Sequence, residues 1–189
     1  MADAAFGFRP VRLASGSPYN GQATSCVIPA SDGTATFIGD FVKLAGGSDT
    51  TDAMPTVIQA AAGDRLYGVV VGFEPDYSDL TNKYRLASTK RVARVVPAYP
   101  GTVFEGQADG AVVAGDVGQL ADVVVGTGDT ATGRSAMEID ISTKATANGQ
   151  LQIIGLSQTV GEEVDTAAAG TNLLVIVNES IFTSEGSGV

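Results

Sequence analysis

The sequence predicts an all-β protein: a compact antiparallel β-barrel or sandwich of about ten short strands with an extended N-terminal arm. Three observations carry this expectation. Short apolar runs rich in Val and Ile recur along the whole chain, as strands do. Turn pairs separate nearly all of them, among them Asp32-Gly33, Gly63-Asp64, Pro100-Gly101, Asp109-Gly110 and Asn148-Gly149, in the rhythm of β-sandwiches and barrels. Gly supplies 24 of the 189 residues, well above the usual ~7%, and the excess falls at these turns rather than in one tract.

Residues 1–21 form the arm. They alternate Phe6, Phe8 and Pro10 with small residues, carry Arg9 and Arg12, and end in a Gly/Ser/Pro/Asn cluster. Two Phe on a solvent-exposed arm are costly, so they should dock. This chain's own core and another subunit are both open as the partner. The rest, 22–189, reads as the β domain, with strands expected at 22–28, 37–44, 55–60, 66–73, 84–96, 102–107, 111–114, 120–125, 136–141, 150–157 and 173–178. The one helical hint is a turn or two around Tyr77–Leu80.

The stretch from Phe37 to Phe73 holds two Gly-Asp turns, Gly39-Asp40 and Gly63-Asp64, each leading into a short Val-containing run. A weak echo links Ile38-Gly-Asp-Phe-Val-Lys-Leu44 to Ala114-Gly-Asp-Val-Gly-Gln-Leu120. It raises a division of the domain into two modules, 22–100 and 101–189.

Composition narrows the chemistry. With no His in the chain, Ser-His-Asp and Cys-His nucleophile systems and His-ligated zinc have no basis. Gly16-Ser17-Pro18 lacks the second Gly of a nucleophile elbow, and no Gly-rich loop ends in Gly-Lys-Ser/Thr. Cys26 sits in an apolar run, where a free thiol acts as a small filler. Glu162, Glu163 and Asp165 lie in an Ala/Gly/Thr-rich linker that reads as a solvated loop. The Asp/Gly/Thr loops at Gly47–Asp52 and Gly126–Thr130 lack the spacing of an EF-hand, and turn chemistry explains them. No metal, cofactor or enzymatic activity is therefore expected. The N-terminus has no basic region followed by an apolar core, so no signal peptide is expected, and no run reaches a membrane span.

Charge is uneven. The net charge is −10, yet residues 1–95 balance nine basic against nine acidic side chains, whereas 96–189 hold two against twelve. The acidic half argues against nucleic acid as a partner. Only 17% of residues are charged, below the usual ~25%, which points to surface covered by other protein subunits. Five of the eleven basic residues fall between Lys83 and Arg94. Over Lys90, Arg91 and Arg94 they alternate with apolar residues as on a strand. Two readings stay open for this segment: a charged edge strand that resists stray pairing, or a docking face for an acidic protein surface.

Phe6-Gly-Phe-Arg-Pro-Val-Arg12, Pro18-Tyr-Asn-Gly21, Val27-Ile-Pro29, Phe37-Ile-Gly-Asp-Phe-Val-Lys-Leu44 and Gly68-Val-Val-Val-Gly-Phe73 together resemble the capsid decoration, or cement, proteins of tailed bacteriophages. The resemblance covers about residues 6–100 and fades thereafter. It implies a β-rich, non-enzymatic virion structural protein, a homo-dimer or homo-trimer on the outer capsid surface, assembled in the host bacterial cytoplasm. Its implied partner is the major capsid protein, gripped by an N-terminal extension or a loop. Carried onto this chain, Phe6, Phe8, Arg9, Pro10 and Arg12 become the expected capsid contacts, with Phe filling apolar pockets and Arg meeting carboxylates. The alternative is a receptor- or carbohydrate-binding β-domain of a head or tail fibre, which the absence of Trp disfavours for sugar stacking. A carboxylate-only β-barrel enzyme is a third.

Overall fold

The computed structural model describes residues 4–157 and 169–183, and these contain eleven β-strands and one short 3-10 turn. The strands are β1 (Arg9–Leu13), β2 (Thr24–Ile28), β3 (Phe41–Ser48), β4 (Pro55–Gln59), β5 (Gly68–Phe73), β6 (Arg91–Pro97), β7 (Thr102–Gln107), β8 (Leu120–Val124), β9 (Glu138–Ala145), β10 (Leu151–Leu156) and β11 (Asn172–Val177). The protein is all-β, as predicted. β2 to β6 close a five-stranded barrel, and the remaining strands form a six-stranded sheet in the order β1-β7-β11-β10-β8-β9.

The two halves repeat one topology. In the barrel, β2 pairs antiparallel with β6, β6 with β5, β5 with β3 and β3 with β4, and β4 returns to β2 in parallel. In the sheet, β7 pairs antiparallel with β11, β11 with β10, β10 with β8 and β8 with β9. A parallel bridge from Ile139 to Ala108 then returns β9 to the chain leaving β7. The Gly-Asp echo marks equivalent positions in the two halves, ahead of the second strand of each: Asp40 immediately precedes β3, and Asp116 lies four residues before the start of β8. Asp40 and Asp116 are both buried. The amide of each donates to the carbonyl three residues earlier, on Phe37 and Val113. Each carboxylate accepts the amide of that same residue. The third strand of each half supplies a second donor: Gln59 to Asp40 at 2.9 Å and Lys144 to Asp116 at 3.0 Å. Gly63-Asp64 closes by the same device, Asp64 accepting the amide of Ala61.

One core spans both halves. Phe41, Leu66, Val69 and Val96 from the barrel meet Phe104, Met137, Ile153 and Val175 from the sheet. A second cluster fills the barrel, with Cys26, Ile28, Val42, Val57, Val70 and Val95. Cys26 is a buried filler there, as predicted, and burial pushes its thiol pKa up. Gln150 fastens the halves: its side-chain amide donates to the carbonyls of Ala61 (2.8 Å) and Asp64 (2.7 Å) and its oxygen accepts the amide of Val123. A fully satisfied buried amide of this kind fixes one mutual orientation.

The N-terminal segment is not a free arm. β1 is the edge strand of the six-stranded sheet, antiparallel to β7 from Arg9–Glu105 to Leu13–Thr102. Ahead of it the Phe6-Gly7-Phe8 backbone packs on the first Gly-Asp turn. Phe8 donates its amide to the Gly39 carbonyl at 2.8 Å. Gly7 has φ of +76°, and a Cβ there would lie 2.6 Å from that of Ser135 and 2.7 Å from the Gly39 oxygen, so only glycine fits.

Three smaller expectations change. Residues 111–114 form no strand, because the Asp116 carboxylate takes the Val113 amide and the chain turns through 3-10 geometry at Ala114–Asp116. The predicted strand at 84–96 begins only at Arg91, since 84–90 loop around the buried Arg85. No helix forms at Tyr77–Leu80. The Asp76 carboxylate accepts the Ser78 amide and hydroxyl, and Asp79 those of Thr81, which holds the backbone in consecutive Asx turns.

Candidate interaction surface

The expected contact residues of the N-terminal segment separate into inner and outer groups. Phe8 is 2% exposed, with its ring 4.6 Å from that of Phe41 and against the β7 backbone at Gly106. It fills this chain's own core and cannot fill a pocket on another protein. That corrects the expectation for Phe8, and the reason is plain: a docked Phe finds the nearest apolar gap, here between β3 and β7. Phe6 is half-buried, with the Arg9 guanidinium 5.1 Å over its ring. Arg9 Nε also donates to Glu105 Oε2 at 2.6 Å, and the Ser157 hydroxyl donates to the other Glu105 oxygen. Buried Glu105 is thereby held from both sides.

Pro10 is half-buried where the β1–β7 register slips, and Val11 is the bulged residue. A bulge with Pro beside it blunts an edge strand. Residues 17–19 fold back over the far end, Leu13 donating to the Ser17 carbonyl and Tyr19 to that of Val11. Solvent therefore meets Arg9, Val11, Leu13 and part of Arg12. Arg9, Pro10, Val11 and Arg12 line one groove with Glu105, Ser157 and Leu174. Arg12 makes no ion pair among the described residues.

The basic segment is spent internally. Arg85 is fully buried and donates to the carbonyls of Pro29, Asp32, Thr34 and Thr89, with the Asp32 carboxylate 3.4 Å away. Arg91 reaches the carbonyls of Glu74, Asn82 and Tyr84 and lies 5.1 Å over the Phe73 ring. It clamps the loop from 74 to 90 and is unavailable for docking. Lys90 and Arg94 stay at the surface, in ion pairs with Asp49 at 2.8 Å and Glu74 at 3.0 Å. β6 is bonded to β2 on one side and β5 on the other, so the edge-strand reading is corrected too. The charges belong to loop fastening.

The acidic loops are likewise engaged. Asp49 accepts the amides of Thr51 and Asp52, and Asp129 accepts from Ala131 and Thr132. Among the described residues no group of three or more acidic or thiol side chains is placed to share a metal ion. Glu162, Glu163 and Asp165 lie outside the described residues.

Two features escaped the sequence reading. The first is the tip of the 74–90 loop, where Tyr77 is 91% and Leu80 77% exposed. Asn82 also donates to Asp76, at 3.0 Å, so the tip is braced by side chains. Apolar residues each directly after an Asx-turn aspartate, Tyr77 after Asp76 and Leu80 after Asp79, were the available signal. The second is a pocket of ≈ 500 Å³ between the return turn of β1 and the β6–β7 connection, where Leu13, Pro18, Tyr19, Ala23, Pro97 and Tyr99 stand beside the polar Ser17, Asn20, Gln22, Thr24 and Thr102.

The Ser78 hydroxyl and then Asn82, bonded to its carboxylate, pull the Asp76 pKa down to about 2. A depressed folded-state pKa stabilises above the ordinary carboxylate range, and that contribution is lost as pH falls through the lower value. Protection of the Ser78 amide should therefore persist below about pH 4 and fade only as pH approaches about 2. An NMR titration that finds Asp76 ionising near 4 contradicts this bracing.

Comparison with protein-family models, with curated proteins and with solved structures found no match.

Proposed function

We propose that the chain is a virion structural protein of a tailed bacteriophage that decorates the outer capsid surface and cements neighbouring major capsid subunits against internal DNA pressure. The observation that carries this reading is β1. Its segment is anchored from within by Phe8 and presents Arg9, Pro10, Val11 and Arg12 outward along a groove. A contact strand fixed to a rigid body transmits force at once, whereas a flexible tether must first be drawn taut. Arg12, which makes no ion pair among the described residues, suits a carboxylate on a partner surface, and Val11 suits an apolar one.

The mechanism is mechanical. Each copy that touches two capsid subunits adds its binding free energy to their contact, and rupture of the shell must overcome that sum. A modest affinity per copy suffices when copies occupy a whole lattice. The reading places assembly in the host bacterial cytoplasm and requires no cofactor, nucleic acid or membrane.

Capsid shells of the same phage, mixed with Val11→Asp and Arg12→Glu variants and then pelleted, provide the test. Each variant should bind about tenfold or more weakly than wild type while unfolding at the same temperature, because neither side chain is buried. Full occupancy by the double variant contradicts the assignment of the contact to β1.

A further inference from the structure

We infer that the pocket between the return turn of β1 and the β6–β7 connection is a binding site for a neutral saccharide of one or two rings. Its volume of ≈ 500 Å³ is that of a small-ligand site. Backbone hydrogen bonds hold both walls. On one side Leu13 donates to the Ser17 carbonyl and Tyr19 to that of Val11, and on the other Thr102 donates to Tyr99. Ala14 ties the walls together through the Gly101 carbonyl at 2.6 Å. A site formed in advance loses little entropy when its ligand enters.

The lining selects the chemistry. It holds no charged residue, so a phosphate, carboxylate or ammonium would give up hydration without gaining a counter-charge. The net charge of −10 adds repulsion against any anion. A purely apolar guest would cover hydroxyl and amide groups and leave them unpaired. Thr102 makes the point most sharply: it is 5% exposed and lines the pocket, yet its hydroxyl meets no partner among the described residues.

The remaining groups match a sugar in kind. The Asn20 side-chain oxygen accepts the Gln22 amide at 3.3 Å, which holds the carboxamide in place and leaves its amide hydrogens to donate. The Gln22 side chain offers both a donor and an acceptor. The Tyr19 hydroxyl donates to the Gln22 carbonyl at 2.9 Å, fixing that ring on the same turn. Across the pocket Tyr99 is 55% exposed, its ring braced by that of Phe182 with centroids 4.6 Å apart. A pyranose carries hydroxyls that donate and accept around its rim and C–H groups on its faces. The rim suits Asn20, Gln22 and Thr102, and the faces suit the two tyrosines, which supply the aromatic surface that no Trp provides. The pocket shares no lining residue with the groove of Arg9 to Arg12, so this inference does not rest on the capsid reading and either can fail alone.

The experiment is an amide NMR titration of the whole chain with the methyl glycosides of glucose, galactose, mannose and N-acetylglucosamine. At least one should shift the amides of the pocket walls, with a Kd of about 1 mM for a ligand of this size. The uronic acid of the same sugar should bind about tenfold more weakly. Thr102→Val keeps the side-chain shape and removes the hydroxyl, and Asn20→Asp keeps the turn acceptor and removes the donor. Each should weaken binding about fivefold or more without lowering the unfolding temperature. Absence of any shift at about 50 mM of every glycoside, binding of cyclohexanol as tight as that of the best glycoside, or unchanged affinity in both variants each overturns the proposal.

Discussion

Replacing Arg85 by Met should lower the unfolding free energy by about 3–5 kcal/mol, the cost of breaking a buried charge pair by removing one partner. The guanidinium is fully buried and satisfies four backbone carbonyls, those of Pro29, Asp32, Thr34 and Thr89. They come from two loops, before and after the barrel strands β3 to β5. Met fills the volume and supplies no donor, so carbonyls buried with Arg85 lose their partners at about 1–3 kcal/mol each before relaxation. The nearby Asp32 carboxylate also loses its counter-charge. Arg85→Lys should recover only part of the loss, because one ammonium cannot reproduce the planar fork. Denaturant unfolding checks both variants, and a loss below about 1 kcal/mol for Met contradicts a structural role of this size.

Truncation of the N-terminal segment has the second large effect. Phe8→Ala should cost about 3–5 kcal/mol, as for other buried Phe, because the ring seals the gap between Phe41 and the Gly106 backbone. Deletion of residues 1–20 removes that ring together with β1 and bares one edge of β7. The truncated chain should unfold or aggregate rather than persist as an intact domain that has merely lost a partner. Thermal denaturation of Phe8→Ala beside the truncation measures this. A truncated chain with wild-type stability contradicts a structural role for the segment.

The strands were largely legible because each is a short β-branched run between Gly, Asp or Asn turns. The docking of the segment was legible from Phe6 and Phe8, but its destination was not. β1 pairs with residues 89 to 96 positions away, and no local pattern encodes that partner. Arg85 looked like one of a basic cluster, since nothing in Tyr84-Arg85-Leu86 marks a side chain whose acceptors are carbonyls of distant loops. The repeated topology shows in the sequence at Asp40 and Asp116 because a buried turn-closing aspartate is demanding. The strands around them only need to be apolar on one face, and so they share no residue pattern. Tyr77–Leu80 read as a helical turn rather than an exposed tip because they sit in a polar loop, where exposure and not identity is the informative quantity.

The most direct test of the capsid reading is electron microscopy of phage particles carrying this protein, counting copies per shell before and after substitution of Val11 and Arg12. Capsid cementing predicts density over the whole lattice, touching at least two capsid subunits per copy, and its loss in the double variant. Density confined to a few dozen sites or fewer at tail or fibre positions, unchanged by the substitutions, would contradict it and favour a fibre domain.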